Sequence, residues 1–197
     1  MRRPGAEGRG PRLIGGILLA AGLSTRFGRQ KLLQPYRGEL LVRKTARCFL
    51  DAGLQPVVAV VSNAPAFGDA LAGLPVTMVE NPNPEDGVSS SIAIGLRALP
   101  DTSSAALIGV ADQPYLTADA IQELLDAFLP GLIVVPRFGD HRGNPPVFDR
   151  RFFADLMELR GDRGGQVVVN AHPEAVIEVS LAEEIGADVD RPEDWPD

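Results

Sequence analysis

The chain has 197 residues, 45% of them hydrophobic and 23% charged, and a formal net charge of -7 at pH 7. That balance excludes a general nucleic-acid binder, whose partner demands a basic face, but not a nucleotide, which needs only local positive charge. The single cysteine, Cys48, excludes an intramolecular disulfide and a cysteine metal cluster, and no apolar run reaches the roughly 18 residues of a membrane span.

Residues 1–12 are rich in Arg, Gly and Pro and lack the apolar core of a signal peptide, so they read as a disordered tail. The remainder, 13–197, is read as one folded domain of a cytoplasmic protein. Strands are predicted over 14–19, 56–61, 76–79, 105–110, 132–135 and 175–179. Between them the pattern predicts helices over 40–52, 64–72, 88–99, 117–128 and 150–159. Apolar strands alternating with helices imply an α/β fold with a mostly parallel sheet covered on both faces. Thr117, with Asp119 in the next turn, is a good helix start. Cys48 falls among Val42, Ala46 and Phe49 in a helical pattern and reads as a packed thiol rather than a nucleophile.

Parallel α/β sheets place ligands beyond the carboxyl ends of their strands. After the first strand stands Leu19-Ala20-Ala21-Gly22-Leu23-Ser24-Thr25-Arg26-Phe27-Gly28-Arg29-Gln30-Lys31. Small residues there let the backbone approach a phosphate, and Arg26 and Lys31 neutralise its charge. Lys31 is one of only two lysines in the chain, and its compact ammonium suits a transferring phosphoryl group. The plain alternative is an ordinary strand-turn-helix with incidental surface charge.

Asp112 follows the 105–110 strand directly and suits Mg²⁺ shared with phosphate oxygens; the alternative is a solvated turn carboxylate or a helix cap. Asp188 and Asp190 alternate on one side of the chain's acidic end, and Asp190 is the favoured second ligand. Ser89, Ser90 and Ser91 open the 88–99 helix as caps or as partners of a base or ribose. The turn-rich 139–146 segment reads as a substrate-facing flap carrying His141, Gly143, Asn144 and Pro145. Gly161-Asp162 is a second turn suited to close backbone approach, whereas His172 and Trp195 read as structural. No Gly-x-Gly-x-x-Gly follows the first strand, Lys31 lacks the spacing of a Walker loop, and no nucleophile elbow or zinc helix is present.

Together these segments resemble the MobA-like nucleotidyltransferase family, and within it molybdenum cofactor cytidylyltransferase and its guanylyl relative. The resemblance runs from residue 13 to the end: Leu19 to Lys31, Gly87 with Ser91 and Gly95, Asp112-Gln113-Pro114, Arg142 to Pro145, Gly161 to Gly164, and Asp188 to Asp194. It implies a Rossmann-like three-layer fold that joins a nucleoside monophosphate to a phosphorylated pterin, releasing pyrophosphate with Mg²⁺ as cofactor. By the same resemblance, Leu19, Ala20, Ala21 and Gly22 line the nucleotide and Ser90 lies near its base. Arg26 and Lys31 hold its phosphates, Asp112 and Asp190 bind metal, and His141, Gly143, Asn144, Pro145 and Asp162 face the acceptor. Ala21 follows the Ala-Ala-Gly form of the cytidylyl branch, which favours CTP. Neither nucleic acid nor membrane is an expected partner; a transient contact with a molybdoenzyme or its chaperone is. Three alternatives stay open: a GTP-using guanylyltransferase, a sugar- or alcohol-phosphate nucleotidyltransferase, and a non-catalytic cofactor binder or chaperone. The last draws on Gly165-Gln166, which stands where the family often has Ala-Arg.

Overall fold

A computed structural model describes residues 13–24, 27–189 and 191–195; the tail expected over 1–12 lies outside them. Ten strands and six α-helices are formed among these residues. The strands are β1 (Ile14–Ala20), β2 (Pro35–Tyr36), β3 (Glu39–Leu40), β4 (Val57–Val61), β5 (Val76–Glu80), β6 (Ala105–Val110), β7 (Ile133–Phe138), β8 (His141–Arg142), β9 (Val147–Asp149) and β10 (Val176–Leu181). The helices are α1 (Leu41–Asp51), α2 (Ala64–Leu71), α3 (Val88–Ala98), α4 (Ala118–Ala127), α5 (Phe153–Glu158) and α6 (Gln166–Ala171). No helix among the described residues is long and apolar enough to cross a membrane.

The main sheet runs β5-β4-β1-β6-β9-β7-β10, with β8 paired to the far end of β7 beyond β9. All six strands predicted from apolar runs are present, and β1, β4, β5 and β6 pair in parallel. The continuous hydrophobicity of β1, β4 and β6 follows from burial on both faces, whereas the edge strand β5 carries exposed Thr77 and Glu80. One face packs Leu18, Val57, Ala59 and Leu107 beneath α1, α2 and α4, through Phe49, Phe67 and Ile121. The other packs Ile17, Val58, Val60 and Ile108 beneath α3, α5 and α6, through Ile92, Leu156 and Val169.

Besides the two-residue strands β2, β3 and β8, three features depart from the sequence reading. The antiparallel β9 inserts between β6 and β7, so those two strands do not pair directly. Its apolar content is two residues, Val147 and Phe148, too short a run to register as a strand. The helix predicted over 150–159 is a 3-10 turn (Arg150–Phe152) followed by α5, and α6 has no counterpart among the predicted helices. In α6, Val167, Val168 and Val169 are consecutive and carry no helical period.

Thr117 caps α4 as the sequence indicates: its side-chain oxygen accepts from the Ala120 backbone N–H at 3.2 Å. Thr117→Ala is expected to cost about 1 kcal/mol, read as a lower denaturation midpoint with unchanged slope.

The chain order positions the ligand cleft. From β1 the chain adds β4 and β5 on one side, then crosses through α3 to β6 on the other side of β1. Strand order therefore reverses between β1 and β6, and their carboxyl ends diverge there to leave a crevice. Leu19 lies level with Val110, and the Ala111 N–H donates to the Leu19 carbonyl at 3.0 Å.

Candidate functional site

A cleft of about 500 Å³ opens at this reversal. Leu19, Ala21 and Gly22 form one wall, Val110, Ala111 and Asp112 the next, and Gly87, Val88 and Ser91 at the start of α3 a third. Lys31 and Asp162 also line it. Ala20 is fully buried at the end of β1. Thr25 and Arg26 lie outside the described residues.

The loop leaving β1 is closed on itself by two side chains that the sequence reading did not single out. Ser24 Oγ donates to Gln30 Oε1 at 2.9 Å, and Gln30 Nε2 donates to the Gly22 carbonyl at 3.2 Å. The Lys31 N–H in turn donates to Ser24 Oγ at 3.3 Å. A 3-10 turn (Lys31–Leu33) follows, with Leu32 buried beneath it. That anchorage sets the backbone from which the Lys31 side chain reaches the cleft.

Lys31 Nζ donates to Asp112 Oδ2 at 2.6 Å and to the Val189 carbonyl at 2.5 Å. Both side chains are largely buried, with 11% of Lys31 and 20% of Asp112 exposed. The cation predicted after the first strand and the acid predicted after the fourth, 81 positions apart, thus meet as an ion pair. The Val189 N–H donates to the Asp112 carbonyl at 3.0 Å, which brings the acidic end of the chain to the same place. Asp190 itself lies outside the described residues.

Asp112 Oδ1 is buried without a hydrogen-bond partner among the described residues. A carboxylate oxygen taken from water and given nothing in return is costly, and a hard divalent cation would relieve that cost. Mg²⁺ uses one or two protein carboxylates and leaves its other positions to water and phosphate, so Asp112 beside a cleft of this size fits it.

Asp162 is placed by backbone. Gly87 has φ 88°, and a Cβ there would run into the Gly161 carbonyl carbon. Ser89 N–H donates to the Gly161 carbonyl at 3.2 Å, locking the two turns together. Gly87→Ala is expected to cost about 2 kcal/mol through the positive φ and to push the Gly161-Asp162 turn from the cleft. Chemical denaturation and hydrogen exchange over 160–165 would read the two effects separately.

Of the three serines at the start of α3, Ser91 lines the cleft. Ser90 Oγ donates to the Gly87 carbonyl at 2.7 Å and accepts from Asn81 Nδ2, and it lines an adjoining groove instead. Asn81 also donates to Ser91 Oγ at 2.9 Å, so one buried amide orients both hydroxyls. His141, Gly143, Asn144 and Pro145 form the β8 turn beyond β7 and do not line the cleft.

The residues read as structural have structural partners. His172 pairs with Asp155 at 2.8 Å and its ring packs on Phe152. Trp195 meets Phe27 edge to face. Cys48 Sγ donates to the Leu116 carbonyl at 3.3 Å, which also accepts from Lys44 Nζ. Burial pushes the Cys48 thiol up and Lys44 down. The thiol therefore stays protonated at neutral pH, as a packing residue would.

Residues 16–176 match the model of the MobA-like NTP transferase domain family. The chain belongs to that family. This MobA-like chain is 33% identical to the nicotine blue oxidoreductase of Paenarthrobacter nicotinovorans, over 91% of its own length and 93% of that protein. It is 28% identical to the purine catabolism protein PucB of Bacillus subtilis, over 95% of its length and 96% of that protein. Rv0371c of Mycobacterium tuberculosis H37Rv superposes with a TM-score of 0.83 at 26% identity, over 93% and 96% of the two chains. That protein has also been solved in complex with manganese, at TM-score 0.78 and 27% identity over 93% and 96% of the two chains. The mostly parallel sheet is thus the Rossmann-like sheet of the nucleotidyltransferases, and the MobA-like chain is a nucleotidyltransferase.

Proposed function

We propose that this MobA-like protein transfers CMP from CTP to the phosphate of a pterin acceptor, with Mg²⁺ held at Asp112 and pyrophosphate released. The observation that carries the reading is the Lys31–Asp112 pair at the strand-order reversal, with Asp112 Oδ1 left for a cation. An acceptor phosphate oxygen attacks the α-phosphorus, one P–O bond forms, and the bond to the pyrophosphate leaving group breaks in line. The attacking oxygen is already anionic, so no general base is needed. Positioning and charge neutralisation carry the rate.

Ala21 and Gly22 let the triphosphate lie against backbone, and Lys31 supplies positive charge beside it. Ser91 and the α3 start face the nucleoside. Bound Mg²⁺ would neutralise the triphosphate charge and stabilise the leaving oxygen. In this reading Arg26 adds a second cation, Asp190 a second metal ligand, and Asp162 and the flap residues hold the acceptor. The product passes in the cytoplasm to a molybdoenzyme or its chaperone.

A second reading follows from the name of the Paenarthrobacter relative, an oxidoreductase. The same cleft would then serve a redox reaction on an organic substrate in place of phosphoryl transfer. One assay separates the two. Purified protein is given CTP, GTP, UTP or ATP with molybdopterin or a sugar phosphate, with and without Mg²⁺, and pyrophosphate is followed. Mg²⁺-dependent release with CTP and molybdopterin supports the proposal; preference for GTP or a sugar phosphate replaces the base or the acceptor. Cofactor binding with no pyrophosphate formation indicates a chaperone, and a change in the oxidation state of an added organic substrate with no pyrophosphate formation indicates the second reading.

A further inference from the structure

Gln113 follows Asp112 at the end of β6 and is only 2% exposed. Its Nε2 donates to the Asn144 carbonyl in the flap and to the Gly186 carbonyl in the carboxy-terminal segment, each at 3.3 Å. Its Oε1 is buried with no hydrogen-bond partner among the described residues. An amide kept only for packing would be better replaced by an apolar side chain, since its orphaned oxygen works against it. The two donated bonds are therefore what an amide supplies here.

Phe138 ties the same two segments together. It is 1% exposed, and a Cβ built on Gly143 would lie 2.6 Å from its ring, one on Gly186 2.5 Å from it. Both glycines press their backbone on one aromatic side chain, and a Cβ on Gly139 would strike Glu183 Oε1. Gly143 to Pro146 and Ala187 to Val189 belong to no helix or strand. Backbone hydrogen bonds anchor each segment separately, Gly143 N–H to the Pro136 carbonyl, Ile108 N–H to the Pro146 carbonyl and Val189 N–H to the Asp112 carbonyl, each at 3.0 Å, and the Gln113 and Phe138 side chains add the link from one segment to the other. Past Gly186 the chain reaches Val189, which is bonded to Asp112 and Lys31.

We infer that Gln113 is a positioning residue that clamps the flap and the carboxy-terminal segment into one unit over the end of β6, coupling acceptor engagement on the flap to cation engagement at Asp112. The ligand coupling rests on the transferase reading above; the clamp does not. A cation bound at Asp112 draws on the segment carrying Val189, and through Gly186, Gln113 and Phe138 that change reaches Asn144.

Hydrogen exchange by mass spectrometry on the full chain tests this. Gln113→Glu keeps the shape but removes the Nε2 donor and sets a carboxylate against two carbonyls. It is expected to speed exchange about tenfold over both 140–146 and 184–189, and to leave 14–20 and 118–127 unchanged. Gly186→Ala, which acts from the other side through Phe138, is expected to speed exchange in the flap although the substitution lies outside it. Mn²⁺ alone, added to wild type, should slow exchange in both segments; in Gln113→Glu it should slow only 184–189. With CTP and molybdopterin, Gln113→Glu should raise the acceptor KM about tenfold and leave CTP affinity within about threefold.

Faster exchange in both segments in both variants supports the clamp, even if the protein forms no pyrophosphate. Exchange altered in one segment only, or in neither, overturns it. If Gln113→Glu does not fold, the flap exchange of Gly186→Ala decides alone. Mn²⁺ slowing 184–189 in wild type without the flap overturns the coupling and leaves the transferase reading standing.

Discussion

Lys31→Ala is expected to lower kcat for pyrophosphate release by more than about 100-fold, the usual consequence of losing one preorganised charge at a transferring phosphoryl group. The physical reason is local. The Lys31 ammonium is held 2.6 Å from Asp112 Oδ2 by a loop closed through Ser24 and Gln30, and water cannot supply a fixed cation there. The same substitution strands the Asp112 carboxylate in a largely buried place, so stability should fall as well, by about 2–3 kcal/mol. Lost activity could then be mistaken for lost fold. The double variant Lys31→Ala with Asp112→Asn removes the stranded charge; it should regain most of the stability and none of the turnover. Lys31→Arg restores charge but not the compact geometry that reaches both Asp112 Oδ2 and the Val189 carbonyl, so it should recover only part of the rate. Turnover of Lys31→Ala within about threefold of wild type would remove Lys31 from the reaction.

Asp112→Asn should also lower turnover by more than about 100-fold, by a different route. The side chain keeps its size, and Lys31 Nζ keeps an oxygen acceptor, so the fold should persist. What is lost is the negative charge behind Asp112 Oδ1, the buried oxygen without a partner among the described residues. Mn²⁺ affinity, measured by electron paramagnetic resonance on the protein without substrate, should fall by about tenfold or more. Wild-type Mn²⁺ binding by the variant would place the cation elsewhere and leave Asp112 as the partner of Lys31 alone.

The alternation of β1, β4 and β6 with amphipathic helices was legible because these strands are buried on both faces and read as unbroken apolar runs. The residues just past the carboxyl ends of β1 and β6 then brought out Lys31 and Asp112 independently, and the fold joins them. β9 escaped notice because it is a strand only by virtue of the partners on either side of it. The serine turn shows the limit of pattern at the site. Ser89, Ser90 and Ser91 are chemically alike in sequence, and their places on the first turn of α3 put Ser91 at the cleft and Ser89 and Ser90 at the adjoining groove. Likewise Gly161-Asp162 is a plain turn in sequence, and it reaches the cleft because Gly87 admits it without a Cβ between them.

The sequence by itself determined the layered α/β architecture, the small-residue loop carrying Lys31 after the first strand, and the acid after β6. These are properties of short stretches, where burial period, small residues and charge speak for themselves. Only the tertiary structure decided that Lys31, Asp112 and Val189 share one set of hydrogen bonds, and that Gln113 ties the flap to the carboxy-terminal segment. Those ties join residues from 31 to 158 positions apart. No local pattern encodes such distances, because they are set by which strands lie side by side and by the packing that holds them there.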